Sequence, residues 1–185
     1  MRISPLTLLF TAFVLSFSLI SLPIYLWLED QLGKAGVTYF IWGLFAVTPA
    51  LMVILFARSG DPLQLIYPPL VFAGGVLFTL SPLYETAGER IHLVLFGGLG
   101  LFVCRDVRPE RGWVSGIAAV LGYCMLIAIF DEVIQHFTPG RFGQAKDVLL
   151  GVLGGVWGIL LYASYTGGQS ETDEERAMQI SQKQS

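Results

Sequence analysis

Charge-free apolar runs dominate the chain and set its predicted architecture. They occur at Pro5–Leu28, Val37–Ala57, Pro62–Tyr84, Ile91–Cys104, Gly112–Phe130 and Val148–Gly168. A helix needs about 20 apolar residues to cross about 30 Å of hydrocarbon, so the pattern predicts six transmembrane helices. The first run follows Arg2, but it is far longer than a signal-peptide apolar core and lacks a small-residue cleavage site. It is expected to be a retained helix. The fold class is therefore all-α, a polytopic membrane helix bundle. Residues 1–168 form a single transmembrane domain, and 169–185 form a polar C-terminal tail with an acidic run at Glu171–Glu175.

The fourth run departs from the pattern. Its 14 residues rise only about 21 Å as a helix, so crossing requires flanking polar residues to be drawn in. On one side these are Glu85, Glu89 and Arg90. The fifth run shows the matching feature, because its helical pattern continues past Phe130 into Asp131, Glu132, Gln135 and His136 before Pro139-Gly140 stops it. Pro68-Pro69 predicts a kink in the third span.

Lys and Arg in short loops mark the cytoplasmic side. With the N-terminus inside, seven basic residues (Arg2, Arg58, Arg105, Arg108, Arg111, Arg176 and Lys183) lie in inner segments, against four outside (Lys34, Arg90, Arg141 and Lys146). Both termini are expected in the cytoplasm, and both polar extensions then face outward.

Composition sharpens this picture. The 185 residues are 54% hydrophobic and 14% charged, where a soluble domain carries about 25% charge. The formal charge of −3 leaves no basic footprint and excludes nucleic acid as a partner. Cys104 and Cys124 both lie in apolar runs and read as small core residues. No P-loop and no serine-nucleophile motif is present.

The distribution of charge carries more than its amount. Eight charged residues, Glu85, Glu89, Arg90, Asp131, Glu132, Arg141, Lys146 and Asp147, crowd the outer helix ends together with His92 and His136. Ionisable groups at a membrane edge are costly, and a functional site is their default reading; mutual pairing that pins the helix ends is the competing one. By helical spacing Glu85, Glu89, His92 and Phe96 share a face, Asp131 aligns with Gln135, and Glu132 aligns with His136. Asp147 heads a stripe of Gly151, Gly155 and Gly158, with Gly154 beside it, and the fourth span offers Gly97, Gly98 and Gly100. Small residues at such spacing let helix backbones approach in lipid, so spans four to six are expected to pack tightly and bring their polar ends together.

Pro139-Gly140-Arg141-Phe142-Gly143 reads as a turn that presents Arg141 near the start of the sixth span. A helix N-terminus beside Arg and Lys suits an anion such as phosphate. Arg141 equally suits a structural salt bridge to Asp131 or Glu132, and an acid at Asp147 is what the helix dipole favours in a first turn.

Glu89-Arg90-Ile91-His92 with Phe96-Gly97, Asp131-Glu132-x-x-Gln135 followed by Pro139-Gly140-Arg141, and then Asp147 and Gly154, resemble the VanZ-like family over roughly residues 85–161. The resemblance implies a small multi-pass protein of the bacterial inner membrane, linked through founding members to resistance against glycopeptide antibiotics such as teicoplanin. Matched residue by residue, it points to Glu89, His92, Asp131, Glu132, Gln135, Arg141 and Asp147. A Tyr common one turn after the His is Phe96 here, and an Asn expected four residues after Asp147 is Gly151. His136 is outside the pattern.

Three functions follow as expectations. In the first, Arg141 and Asp147 bind the polar part of an envelope ligand, a polyprenyl-phosphate or peptidoglycan-type precursor, and Glu89, His92, Asp131, Glu132 and Gln135 handle protons. In the second, the cluster is a salt-bridge network in a non-catalytic membrane scaffold. In the third, Glu89-x-x-His92, supplemented by Glu132 and His136, holds a metal in the manner of di-iron bundles; with a single such pair, no metal and no other cofactor is expected. The absence of a visible internal repeat gives a transporter little support.

Overall fold

A computed structural model of the chain describes residues 3–56, 62–82, 87–108 and 112–183. Arg2, Arg58, Glu85 and Arg111, named above, lie outside the described residues, as do the side chains of the acidic tail run. Among the described residues the structure is all-helical and has no strand: α1 (Pro5–Phe56), α2 (Pro62–Phe78), α3 (Ala87–Val107), α4 (Trp113–His136) and α5 (Ala145–Lys183). A backbone placed in hydrocarbon must satisfy its own N–H and C=O groups, which favours helices wherever the side chains are apolar.

Two of the expected spans are joined. α1 runs through the polar stretch after Leu28, but Gly33 sits inside it at φ 69° and ψ 166° and breaks it into two limbs. A residue with a Cβ rarely adopts that positive φ, so glycine at this point makes the bend. Segments Pro5–Val47, Trp113–His136 and Ala145–Thr166 are long and apolar enough to cross a membrane. Residues 66–78 form a shorter apolar helix, with Pro68 and Pro69 inside α2.

α3 extends in the way its short apolar run demands. At 21 residues it is about 31 Å long, with Glu89 in its first turn and Arg105 in its last. The first limb of α1 runs antiparallel to it, since Ser4 and Thr7 meet Asp106 while Ser18 lies near the other end. α2 also runs antiparallel to α3: Arg90, at the start of α3, donates from Nε to the Thr79 carbonyl just past the end of α2 at 3.3 Å.

α3 and α5 form the tightest pair. A Cβ at Gly100 would lie 2.8 Å from the Gly155 carbonyl oxygen, and one at Gly154 would lie 2.6 Å from Phe96 Cβ and 3.0 Å from the Leu93 carbonyl oxygen. Gly158 packs against the backbone of Gly97 and Leu101. The glycine stripes thus produce the close approach that small residues permit. Around this seam are two apolar clusters, one with Phe96, Leu99, Val103 and Cys124, the other with Val37, Phe72, Leu93 and Trp157. Cys104 and Cys124 are buried free thiols. Leu9, Phe13, Tyr39, Val114 and Leu149 are instead exposed on the outside of the helices, as expected where lipid is the solvent.

Candidate functional site

The helix extensions place polar groups on three neighbouring helices. Glu89 and His92 lie in the first turns of α3, Asp131, Glu132 and Gln135 in the last turns of α4, and Asp147 in the first turn of α5. Asp131 is 2% exposed, Asp147 8%, and the His92 side chain 15%. Such burial costs free energy unless the groups find partners.

Gln135 supplies part of that partnership. Its Nε2 donates to Asp131 Oδ2 at 2.9 Å and to Glu132 Oε1 at 3.3 Å. The backbone N–H of Gln144 donates to Glu132 Oε2 at 2.7 Å. This contact needs the loop to lie close against α4, and Gly143 allows it: a Cβ there would stand 2.7 Å from the Glu132 carbonyl oxygen. Gly140, at φ 79°, turns the chain after Pro139.

His92 meets the acids across helices. Its Nε2 lies 3.8 Å from Asp131 Oδ2, and ligand-capable atoms of His92, Asp131 and Glu132 all fall within 4.8 Å of one another. Asp147 is within electrostatic reach of His92, Glu89, Lys146 and Asp131. Lys146 Nζ donates to Glu89 Oε2 at 3.2 Å, tying α5 to α3. Asp131 Oδ1 and Asp147 Oδ1 are buried without a hydrogen-bond partner.

Arg141 is not in an ion pair with Asp131 or Glu132 among the described residues. Its Nη1 instead donates to the Ser18 carbonyl oxygen of α1 at 2.7 Å, and its side chain, with those of His92 and Asp131, lines a cleft of about 440 Å³. Most of the remaining wall is apolar and comes from both limbs of α1, including Phe17, Tyr25, Val37 and Ile41, and from Leu95 and Phe96 of α3. The volume lies within the usual range for a small-molecule pocket. A charged and hydrogen-bonding patch in an otherwise apolar cleft suits an amphiphile.

Two expected members stand apart. His136 is exposed, with its ring against Phe137 at 5.4 Å, so it does not share a partner with the buried Glu132. Arg90 turns toward α2 and also lies over the Trp42 ring at 5.7 Å. Phe96 and Gly151, the two departures from the family pattern, face each other: a Cβ at Gly151 would lie 3.4 Å from the Phe96 ring. Both polar positions are therefore replaced within one apolar contact.

The wall contributed by α1 was not legible in the sequence. Ser18 and its apolar neighbours sit in a uniformly hydrophobic run, and the Ser18–Arg141 contact joins residues 123 positions apart. Ser18 and Ser21 do not stand out there, since Thr7, Thr11 and Ser16 lie in the same run.

A sequence profile of the VanZ/LLP1 family matches residues 7–166, reaching well beyond the polar cluster to include the α1 wall of the cleft. The chain is also similar to part of a PTS system glucosamine-specific EIICBA component of Bacillus subtilis (strain 168), with 34% identity over 138 residues; the match covers 74% of this chain and 18% of that relative's length. No solved structure matches the chain. With most of its length matched and its helices apolar enough to cross a bilayer, the chain is a membrane protein that belongs to the VanZ/LLP1 family.

Proposed function

We propose that this protein crosses the membrane six times with both termini in the cytoplasm, and binds an amphiphilic envelope ligand at its outward-facing polar end. The two limbs of α1 count as separate crossings. The antiparallel pairing of the first limb and of α2 with α3 supports this path, and the excess of inner Arg and Lys supports the orientation. The ligand class is a polyprenyl-phosphate or peptidoglycan-type precursor, with its apolar chain in the cleft and its anionic head beside Arg141.

The cleft is the observation that carries this reading. A salt-bridge scaffold would place Arg141 on an acid, whereas it donates to a backbone carbonyl and its side chain lines the cavity. In this site Arg141 attracts the anion. Asp147 lies at the start of α5, where free N–H groups add positive potential. Glu89, His92, Asp131, Glu132 and Gln135 hold or move protons at the head group.

The test compares wild-type protein with Arg141→Ala after extraction in mild detergent, measuring membrane accumulation and phosphate-bearing lipids that copurify. Normal accumulation with loss of the phospholipid supports the site. Reduced accumulation, or an unchanged lipid complement, supports the scaffold, in which the Lys146–Glu89 pair and the Gln135 bridge serve only to lock α3, α4 and α5 together.

A further inference from the structure

Carboxylates buried in an apolar bundle require a counter-charge, a proton or a bound ion. At the end of the bundle that holds Asp131, Arg141 and Lys146 act on Glu132 and Asp147 through space, while their direct hydrogen bonds go to Ser18 and Glu89. Asp131 and Asp147 each keep one buried oxygen, Oδ1, with no hydrogen-bond partner. Such orphans are rare in folded proteins, and a cation is one of the few partners that satisfies a carboxylate oxygen without a donor hydrogen.

The surrounding groups need only a small inward shift to share one ion. One imidazole and two carboxylates converge within 4.8 Å. The His92 Nε2 to Asp131 Oδ2 separation of 3.8 Å is too long for a hydrogen bond. Two donors that share an ion at about 2.1 Å from each sit roughly 3 to 4 Å apart, a range that includes this separation. We propose that His92, Asp131 and Glu132 form a binding site for a divalent first-row transition cation, of the Zn²⁺ or Mn²⁺ type.

A mixed imidazole and carboxylate set suits these ions, while Ca²⁺ prefers six to eight oxygens. The partners around the ligands have the outer-shell form that orients metal-bound carboxylates: Gln135 Nε2 braces Asp131 and Glu132, and the Gln144 N–H holds the second oxygen of Glu132. His92 and Asp131 also line the cleft, so the remaining coordination positions open toward a ligand, as in metal sites that bind substrate. The assignment deepens the amphiphile reading, because a +2 ion makes an acid-rich pocket able to accept phosphate. It rests on the cluster's own geometry and is testable without lipid.

The full chain in detergent is stripped with a chelator and reloaded with Zn²⁺ alone or Mn²⁺ alone. Metal per chain is measured by elemental analysis after size exclusion, alongside the thermal unfolding midpoint. The expected result is about one ion per chain with a raised midpoint. His92→Gln and Asp131→Asn should weaken binding by at least about tenfold while eluting as the wild type does, and Gln135→Ala should weaken it by about tenfold. His136→Ala should bind like the wild type. If a ligand variant does not fold, Glu132→Gln and Gln135→Ala carry the comparison. Negligible loading of both ions, or equal loading of the His92 and Asp131 variants, overturns the site. Metal loading without phospholipid capture would remove the amphiphile reading alone, and phospholipid capture by metal-free protein that cannot be loaded would remove this one alone.

Discussion

Asp106 and Asp131 are both largely buried aspartates near helix ends, yet their surroundings differ in kind. Asp106 Oδ2 accepts the Ser4 backbone N–H at 2.7 Å and the Thr7 hydroxyl at 2.6 Å, while Arg105 lies 3.5 Å from Oδ1. It caps the start of α1, where the helix dipole favours an anion. Asp131 has one oxygen bonded to Gln135 and the other unpartnered, beside a histidine, a second acid and a cleft. A polar cluster that serves only the fold satisfies its own valences. One that leaves buried oxygens open holds energy that a bound partner would recover.

The sharpest break of this contrast is Asp131→Asn. Removing a buried, incompletely partnered charge is expected to leave the thermal midpoint unchanged or higher, while metal and phospholipid retention fall by at least about tenfold. A large loss of folded protein would instead place Asp131 with Asp106 as a structural residue.

Asp106→Ala should behave in the opposite way. It strands the Ser4 N–H and leaves the Thr7 hydroxyl its longer contacts to the Phe102 carbonyl and the Ser4 hydroxyl, costing about 1–3 kcal/mol, seen as a lower unfolding midpoint in detergent. Ligand and metal retention by the protein that remains folded should match the wild type.

The pH dependence follows from the same cap. Burial alone would raise the Asp106 carboxyl, but hydrogen bonds from Thr7 and Ser4 and the nearby Arg105 outweigh it and hold the group below its ordinary 3.8. A depressed folded-state value contributes stability that is present above the unfolded value and lost as pH falls through the folded one. The stability gap between wild type and Asp106→Asn should therefore be flat from neutral pH down to about 5 and shrink below the ordinary value. A gap that widens on acidification would refute the cap.

A smaller effect is expected for Arg141→Lys, which keeps the charge but cannot both reach Ser18 and present a planar fork to the cleft. About 1 kcal/mol of stability should be lost, with weaker phospholipid retention. His136→Ala, at an exposed position, should change stability by no more than about 0.5 kcal/mol and leave both retentions intact.

Periodicity and apolar run length were enough to read an all-helical chain, though not that its first two runs join in α1, and also the polar extensions of α3 and α4 and the glycine seam between α3 and α5, because each depends on residues a few positions apart. The same spacing suggested Glu132 with His136 and Glu89 with His92 as pairs along single helices. The folded chain sends His136 to the surface, gives Glu89 to Lys146, and brings His92 to Asp131 and Glu132 across a helix interface. No spacing rule within one helix reports such a contact.

The amino-acid sequence by itself determined that this chain is a helical membrane protein of one family and that its rare charges gather at helix ends, since lipid admits few other solutions. Only the tertiary structure decided that α1 walls a cleft, that Arg141 reaches Ser18 rather than an acid, and which oxygens remain unpartnered. Those outcomes depend on how whole helices pack, and a uniformly apolar helix carries no mark of which face will meet the site.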